Sequence, residues 1–518
     1  MNDVINERYL MKSWIDAIDR IAFRALVLGF LLLALSAASA YAQVAPDELT
    51  LQEAVELAKA NNPTFLSTQN DQSAADWQVR ESYAQFVPSL TTSIGGTWQE
   101  AGSQRFGTIV FEEQVTDWLF TGYQVDARMT IDGNTIFGVS NARANRDATA
   151  ARIDAAEFNL ESTVALQYMS VLRAEDQVEV ALRQLERAEQ NLEIVQTRVE
   201  AGAVAGTDGR QAEVDLGRAE VGLIQAERDL RRMRLLLSEE LGVTIDEGVR
   251  LSSEFEVYEP GFDQDQLLMW SMEDHPSLQA FRAQENATRA AARQVSTGQY
   301  LPSLNLSASL RGQAQEALNQ DFVLNQAEGA MANRMSNCEF MNAVNGGITG
   351  GLPGYTNQNC SQFVLDDAGR QAVLSANDNF PFNFTRIPMQ ISASVSLPIF
   401  TGFSRERQVS EMNNLAEDAE HGRRAEELRL RTLVINAYDN VVSSYRVVRA
   451  EERNRTLAEE QLQLQQRRYA LGATGLLELL DAQTTMTTAD QGYLNAVYEF
   501  HYSLIVLEAA AGRPLRGL

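Results

Sequence analysis

The sequence predicts a mainly helical chain that carries two pairs of membrane-type β-strands. Three observations predict it. The chain repeats itself internally, four short stretches alternate apolar and polar residues, and long stretches keep a strict seven-residue apolar repeat. The 32 glycines and only 11 prolines suit long helices better than a loop-rich fold. Charge and hydropathy narrow the classes further. The 518 residues hold 43 Lys and Arg against 70 Asp and Glu, a formal net charge of −27. That excludes a basic footprint for nucleic acid. The mean hydropathy of −0.24 argues against a polytopic helical membrane protein. Two Cys and three His leave little for a metal centre.

From the N-terminus, Arg20 and Arg24 precede an apolar run from Ala25 to Ala40, which ends in Ala40-Tyr41-Ala42. The run of about 16 residues is short for a membrane span, which needs ~20. Residues 1–42 therefore read as a secretory signal peptide, with a membrane anchor as the alternative. The remaining 476 residues (518 − 42) would lie outside the cytoplasm.

The duplication follows. Asn62-Pro63-Thr64-Phe65 recurs as His275-Pro276-Ser277-Leu278, and Val87-Pro88-Ser89-Leu90 as Leu301-Pro302-Ser303-Leu304. Asp132-Gly133 matches Thr401-Gly402, and Tyr168, Gly202 and Gly242 match Tyr438, Gly472 and Gly512. Matches in constant order over most of the chain define two copies, residues 43–262 and 263–518.

Period-two alternation runs over 90–98, 124–132, 304–311 and 389–397, as in Met389, Ile391, Ala393 and Val395 against Gln390, Ser392 and Ser394. With their flanking Pro-Ser-Leu and Asp-Gly or Thr-Gly motifs, the strands fall at about 88–98, 124–133, 302–311 and 388–400. Their length approaches the ~9–11 residues that a tilted strand needs to cross a bilayer. A soluble antiparallel sheet shows the same alternation. Between the last two strands lies an insertion at about 312–387, on the side away from the helices, which reads as an irregular, exposed extracellular loop rich in Gly and Asn. It holds Cys338 and Cys360, the only cysteines, and an exported chain favours a disulfide between them.

The helical stretches come in matching sets. Val164, Val171, Val178, Leu185, Leu192 and Val199 fall every seven residues, and Ala212, Ala219 and Ala226 flank Leu216, Leu223 and Leu230 downstream. The second copy does the same with Val434, Val441 and Val448, then Met486, Tyr493, Phe500 and Leu507 beside Ala482, Ala489 and Ala496. A strict heptad implies left-handed coiled-coil packing. Residues ~140–200 as one helix would run roughly 90 Å. Helices are also expected at 63–86, ~209–241, ~276–299, ~404–470 and ~477–511. Shorter ones at 51–60 and 264–273 carry the cap signals Thr50 with Glu53 and Asp263 with Gln266.

Four strands cannot close a barrel, and open edges are not tolerated in lipid. If the strands span a membrane, chains must pool them, and three chains would give twelve. At this point the resemblance is specific. The second helix–helix turn, Tyr469-Ala470-Leu471-Gly472-Ala473-Thr474-Gly475-Leu476-Leu477-Glu478-Leu479-Leu480-Asp481-Ala482, resembles that of the TolC family of outer-membrane efflux proteins. The first turn, Gly202-Ala203-Val204-Ala205-Gly206-Thr207-Asp208, is similar, as are the strand boundaries.

The resemblance implies a homotrimer in the outer membrane, with a 12-stranded β-barrel set in lipid over a long periplasmic α-helical coiled-coil barrel. It implies a passive exit duct for small molecules or proteins, docked to a periplasmic adaptor (membrane fusion) protein and an inner-membrane RND or ABC transporter. Multidrug efflux and type I secretion both remain open. By the same resemblance, Asp208, Tyr469, Glu478 and Asp481 form the periplasmic gate, and three copies of the last two would favour cations. An acidic helix start complementing the dipole reads equally from those two residues. The adaptor-contacting tips would be Gly202, Thr207, Gly472, Leu476 and Leu477. The family's gate also uses an Arg where Thr474 stands here, so an Asp208–Tyr469 hydrogen bond is the remaining expected link. No catalytic constellation surrounds His275, His421 or His501, so neither an enzyme nor a cofactor is expected. A trimeric coiled-coil adhesin is the alternative, but it would place one anchor barrel at the C-terminus.

Overall fold

The computed structural model describes residues 48–106, 109–114, 116–246, 248–252 and 255–515, so the expected signal peptide lies outside the described residues. The chain divides into two compact units. The first gathers residues 48–68, 156–275 and 430–515, and the second 69–155 and 276–429. Neither unit is one sequence copy. The heptad seams of both copies pack together in the first unit, and the strands of both copies pair in the second.

The first unit begins with strand β1 (Glu48–Leu49), paired in parallel with β6 (Arg250–Leu251). Helix α1 (Leu51–Asn61) starts on the expected capping box: Thr50 Oγ1 accepts from the Glu53 amide at 3.2 Å, and Glu53 accepts from the Thr50 amide at 2.9 Å. Helix α2 (Pro63–Ala84) begins one residue later, because Asn62-Pro63 breaks the run. The long α3 (Gly133–Glu200) and its return α4 (Gly206–Leu241) complete the first copy's helices. The second copy supplies α5 (Gln264–Asp274), the part of α9 (Ser404–Ala470) from residue 430 onward and α10 (Leu476–Ala511), while its α6 (Pro276–Tyr300) belongs to the second unit. The cap of α5 departs from expectation, since the Asp263 carboxylate accepts from the Asp265 amide at 3.1 Å.

Packing in this unit follows the heptads, with one refinement. On α4 the alanine series Ala212, Ala219 and Ala226 is buried, while Leu216, Leu223 and Leu230 are half-buried. The small side chains let neighbouring helices approach, so the alanines lie deepest. Val434, Val441, Val448, Ala496, Phe500 and Leu507 form one cluster, and Val195, Leu462, Tyr469, Leu479, Ala482 and Met486 another.

The duplication is visible in the atoms. Gly242 ends α4 at φ +71° and Gly512 ends α10 at φ +75°. A Cβ on Gly242 would lie 2.3 Å from the Asn61 carbonyl oxygen, so only glycine fits. Asn62 Nδ2 donates to the Glu240 carbonyl at 2.8 Å, and in the second copy His275 Nε2 bonds the Ala509 carbonyl at 2.9 Å.

The second unit is built on an antiparallel sheet of order β2-β5-β7-β8, from β2 (Ser89–Gln99), β5 (Trp118–Ile131), β7 (Ser303–Ala317) and β8 (Thr385–Ser396). The register puts Leu90 opposite Ala127, Ile94 opposite Tyr123, and Leu306 between Met129 and Ala393 on one face. The other face is polar: Ser307 and Ser392 hydroxyls lie 2.7 Å apart, and Thr130 donates to Asn305 at 2.9 Å. Strands β5 and β7 extend beyond the alternating stretches. Their extra pairing brings Gly312 under the Tyr123 ring, where a Cβ would clash at 2.4 Å. Strand β8 stops before Pro398, which cannot donate to a ladder. A small hairpin of β3 (Gly102–Phe106) and β4 (Ile109–Gln114) joins β2 to β5, and no alternation signalled it.

The insertion corrects the expectation of an irregular loop. It contains α7 (Gln320–Gly347), a 3₁₀ turn (Cys360–Gln362) and α8 (Asp367–Asn377). Cys338 and Cys360 are disulfide-bonded, with Cα atoms 5.6 Å apart. Its asparagines organise rather than loosen it. Asn342 Oδ1 accepts from the Tyr355 hydroxyl and the Gln358 amide, both at 3.0 Å, while its Nδ2 donates to the Gln358 carbonyl at 2.8 Å. Among the described residues no helix is long and apolar enough to cross a membrane.

Candidate functional site

Two helix–helix turns form the candidate site, both in the first unit. They share one backbone. At the end of α3, Gly202 takes φ +71°, its amide bonds the Val199 carbonyl at 2.9 Å, and the Ala203 amide bonds the Arg198 carbonyl at 2.8 Å. At the end of α9, Gly472 takes φ +71°, its amide bonds the Tyr469 carbonyl at 2.9 Å, and the Ala473 amide bonds the Arg468 carbonyl at 2.8 Å. Both are Schellman motifs, which need glycine at the left-handed position. The following helices start without a side-chain cap bond, at Ala205 and Gly475. Asp208 and Glu478 instead supply a first-turn negative charge against the helix dipole.

The side chains differ between the turns. Thr207, Glu478 and Asp481 are exposed, and Asp208 is half-buried. Asp481 lines a groove with Arg187, Gln211 and Asp215. Leu477 is 77% exposed, whereas Leu476 turns into the apolar cluster and is buried. Leu476 therefore offers no surface to a partner in this chain. Leu471, which sequence reasoning passed over, is 84% exposed on the second turn.

Tyr469 corrects a second expectation. The residue is 2% exposed, and among the described residues its buried hydroxyl has no hydrogen-bond partner. No bond to Asp208 forms. Arg198 of α3 occupies the residue instead: Nη1 donates to the Tyr469 carbonyl at 2.6 Å, and the guanidinium carbon lies 4.3 Å from the ring centroid. Burial pushes the Tyr469 hydroxyl above its ordinary pKa, the nearby Arg198 charge pulls it down, and Asp208 adds to the rise. Arg198 is close enough to the hydroxyl to affect it electrostatically, yet its well-formed bond goes to the carbonyl.

A second polar tie was also missed. Asp490 of α10 is 4% exposed and accepts from Arg187 of α3, at 3.3 Å from each Nη, and from Arg455 Nε of α9 at 2.9 Å. Arg198, Arg187 and Asp490 carry no motif, and only the packing of three helices brings their partners together. Cys338 and Cys360 belong to the second unit and take no part in these turns.

A duplicated chain that pairs its strands into one amphipathic sheet and its heptads into coiled coils, with glycine-ended turns at two hairpins, has the architecture of an outer-membrane channel. A profile described as outer membrane efflux protein matches residues 54–243 and 366–513, more than half of the chain. The chain belongs to the outer membrane efflux protein family, and it is the outer-membrane channel component of an efflux system.

Solved structures share the fold. The outer membrane protein VceC of Vibrio cholerae superposes with a TM-score of 0.62 at 16% identity, over 90% of this chain and 97% of that one. The open state of the MtrE outer membrane channel of Neisseria gonorrhoeae gives 0.63 at 18%, over 90% and 89%. The CmeC outer membrane channel of Campylobacter jejuni gives 0.63 at 14%, over 89% and 85%. The fold is TolC-like, mainly α with the four-stranded sheet. No curated protein sequence matches the chain. The adhesin alternative finds no support in either the family or these structures.

Proposed function

We propose that the chain works as a homotrimer whose sheets join edge to edge into a twelve-stranded barrel in the outer membrane, above a coiled-coil tunnel in the periplasm. The observation that carries this is the state of the sheet edges. Among the described residues, strands β2 and β8 each have one strand neighbour, so each leaves one side of its backbone unpaired there. Their apolar residues Leu90, Ile94, Trp98, Ile391 and Val395 are exposed. In water such an edge invites aggregation, and in lipid it is untenable. Pairing β8 of one protomer with β2 of the next satisfies both edges and turns the apolar face to lipid.

The duct is passive and carries no catalytic step. Its substrate is selected by an inner-membrane RND or ABC transporter, which a periplasmic adaptor joins to the tips through Thr207, Leu471 and Leu477. Three copies of Glu478 and Asp481 ring the narrow mouth and favour cations. The test is direct. Purified protein should run as a trimer by native mass spectrometry and give cation-favouring steps in planar bilayers. A monomer that gives no conductance would sink the reading.

A further inference from the structure

The geometry points to a solute-binding hollow on the polar face of the sheet, at the end that carries the insertion, shaped for a fused-ring aromatic acid. The inference rests on the barrel reading above only in placing that face inside the exit path. Elsewhere the polar face carries small hydrogen-bonding side chains, such as Thr130, Asn305, Ser307 and Ser392. Trp118 and Phe120 break that pattern. In the pleat of β5 they share their face with Gln124, Asp126 and Arg128. Their ring centroids lie 6.0 Å apart, with planes 22° from parallel. Phe322, in the first turn of α7, sets its ring edge-on to Trp118 at 6.3 Å.

These rings form a fixed wall. The Asn319 amide donates to Thr116 Oγ1 at 2.9 Å, the Leu318 amide to the Asp117 carbonyl at 3.0 Å, and the Phe322 amide to Asn319 Oδ1 at 3.2 Å. The start of α7 is thereby pinned to the start of β5, so Phe322 backs Trp118 and Trp118 backs Phe120. All three residues are half-buried, which leaves part of each ring open. Beyond Phe120 the face loses its side chains. Gly122 comes next on β5, and Gly95 is its partner on β2. A Cβ on Gly95 would meet nothing within 4 Å, so the space over this pair is open. Gln313 pairs with Gly122 from β7, and its exposed amide borders the floor. One level further on, Gln124 pairs with Arg311. Gln124 Nε2 donates to Asp126 Oδ2 at 2.7 Å, which engages that carboxylate and leaves the exposed Arg311 as the cation of this level.

These parts select a chemistry. An aromatic wall attracts flat π-systems in offset or edge-on contact. A floor of glycines lets such a solute lie against the backbone. A guanidinium takes a carboxylate in a two-point, charge-assisted contact, which a neutral solute cannot make. Strand rise puts the Arg311 level about 13 Å from the Phe120 level. That span suits a fused-ring acid better than a single ring. In the barrel, three such hollows would line the exit and delay this class of solute with no moving part.

The experiment compares five full-length proteins in planar bilayers: wild type, Phe120→Ala, Gly95→Leu, Arg311→Gln and Arg128→Gln. The probes are 2-naphthoate and the neutral 2-naphthamide, and the reading is how long each interrupts the current. Phe120→Ala removes the wall and should shorten the interruptions by both probes roughly tenfold. Gly95→Leu fills the open floor without a clash and should do the same, which keeps the test alive if Phe120→Ala fails to assemble. Arg311→Gln should shorten those of 2-naphthoate roughly tenfold and leave those of 2-naphthamide unchanged. Arg128→Gln, on the same face but beyond the hollow, should match wild type. Wild-type interruptions in Gly95→Leu overturn the site. So does an Arg311→Gln that weakens both probes alike, or an Arg128→Gln that loses as much as Arg311→Gln. A wild type with no conductance defeats the channel reading instead. The hollow is then judged by equilibrium dialysis of 2-naphthoate against protein in nanodiscs. Gly95→Leu should bind roughly tenfold less, and equal binding overturns the site.

Discussion

The two hairpin ends make a natural comparison, because duplication gave them one backbone and selection gave them different side chains. Both end in glycine at φ +71° with the same pair of turn bonds. The first presents small residues, Ala201, Ala203 and Ala205, while the second presents Leu471 and Leu477. The first lends an arginine, and the second receives it on a buried tyrosine. The two hairpin ends are therefore tied at Tyr469 by a side chain that only the first supplies. Backbone geometry is copied cheaply, and function is written in the few positions where the copies part.

The sharpest way to break that comparison lies at Asp490, whose counterpart is Glu220. Asp490 is buried against Arg187 and Arg455, whereas Glu220 is exposed. Removing the carboxylate leaves two guanidinium groups facing each other inside a three-helix seam. Breaking a buried pair costs about 3–5 kcal/mol. Because Arg455 is 41% exposed and stays hydrated, the expected loss is at the lower end. Asp490→Ala should lower the thermal midpoint clearly, and Glu220→Ala should stay within about 0.5 kcal/mol. Equal effects in thermal unfolding would show that the asymmetry of the seam is not energetic.

The turn glycines test the shared half of the comparison. A Cβ at φ +71° costs about 1–2 kcal/mol. Neither Gly202 nor Gly472 has a backbone clash waiting for a Cβ. Gly202→Ala and Gly472→Ala should therefore destabilise by about the same amount, and chemical denaturation measures the difference. A larger loss at Gly472 would mean that the Cβ also disturbs Arg198.

A surface test separates the turns by function rather than stability. Leu471→Ser and Leu477→Ser remove exposed apolar area and should leave the thermal midpoint within about 0.5 kcal/mol of wild type. They should weaken binding of a periplasmic adaptor, measured by calorimetry, more than Ala203→Ser on the first turn does. Equal affinities would remove the second turn from the docking surface.

The same contrast explains what could be read in the sequence. Periodicity reports burial along one element, so the heptads, the four alternating strands and the turn glycines were all legible. Their ends were less so. Strand β5 begins in Trp118-Leu119-Phe120, where Trp118 and Phe120 put apolar rings on the face that is polar further along, opposite Leu119, and so erase the alternation. The insertion misled for another reason: its glycines and asparagines resemble loop chemistry, yet Asn342 and Asn345 hold a helix to its return segment. Arg198 was invisible because its partners, 271 residues away, are a carbonyl and a ring face, which leave no charge pattern to detect.

The smallest expected effect is a pH dependence confined to one hairpin. Burial raises the Tyr469 pKa above the ordinary value of 10.0. A phenol whose folded pKa is raised binds its proton more tightly in the folded state. Below pH 10 both states hold the proton and stability is unaffected. Above it, the unfolded chain ionises first, so stability falls as pH rises towards the folded value. Tyr498 is raised by burial and by Asp176 and adds an alkaline loss of its own, so wild type alone is uninformative. The difference between wild type and Tyr469→Phe isolates the hairpin. Tyr469→Phe should lose less stability than wild type between pH 9 and pH 11, measured as the thermal midpoint. Val199→Ile, at the matching place in the first hairpin, should leave the slope of wild type unchanged, because no group there titrates. Parallel slopes for wild type and Tyr469→Phe would mean that the ring is wetter than its 2% exposure implies.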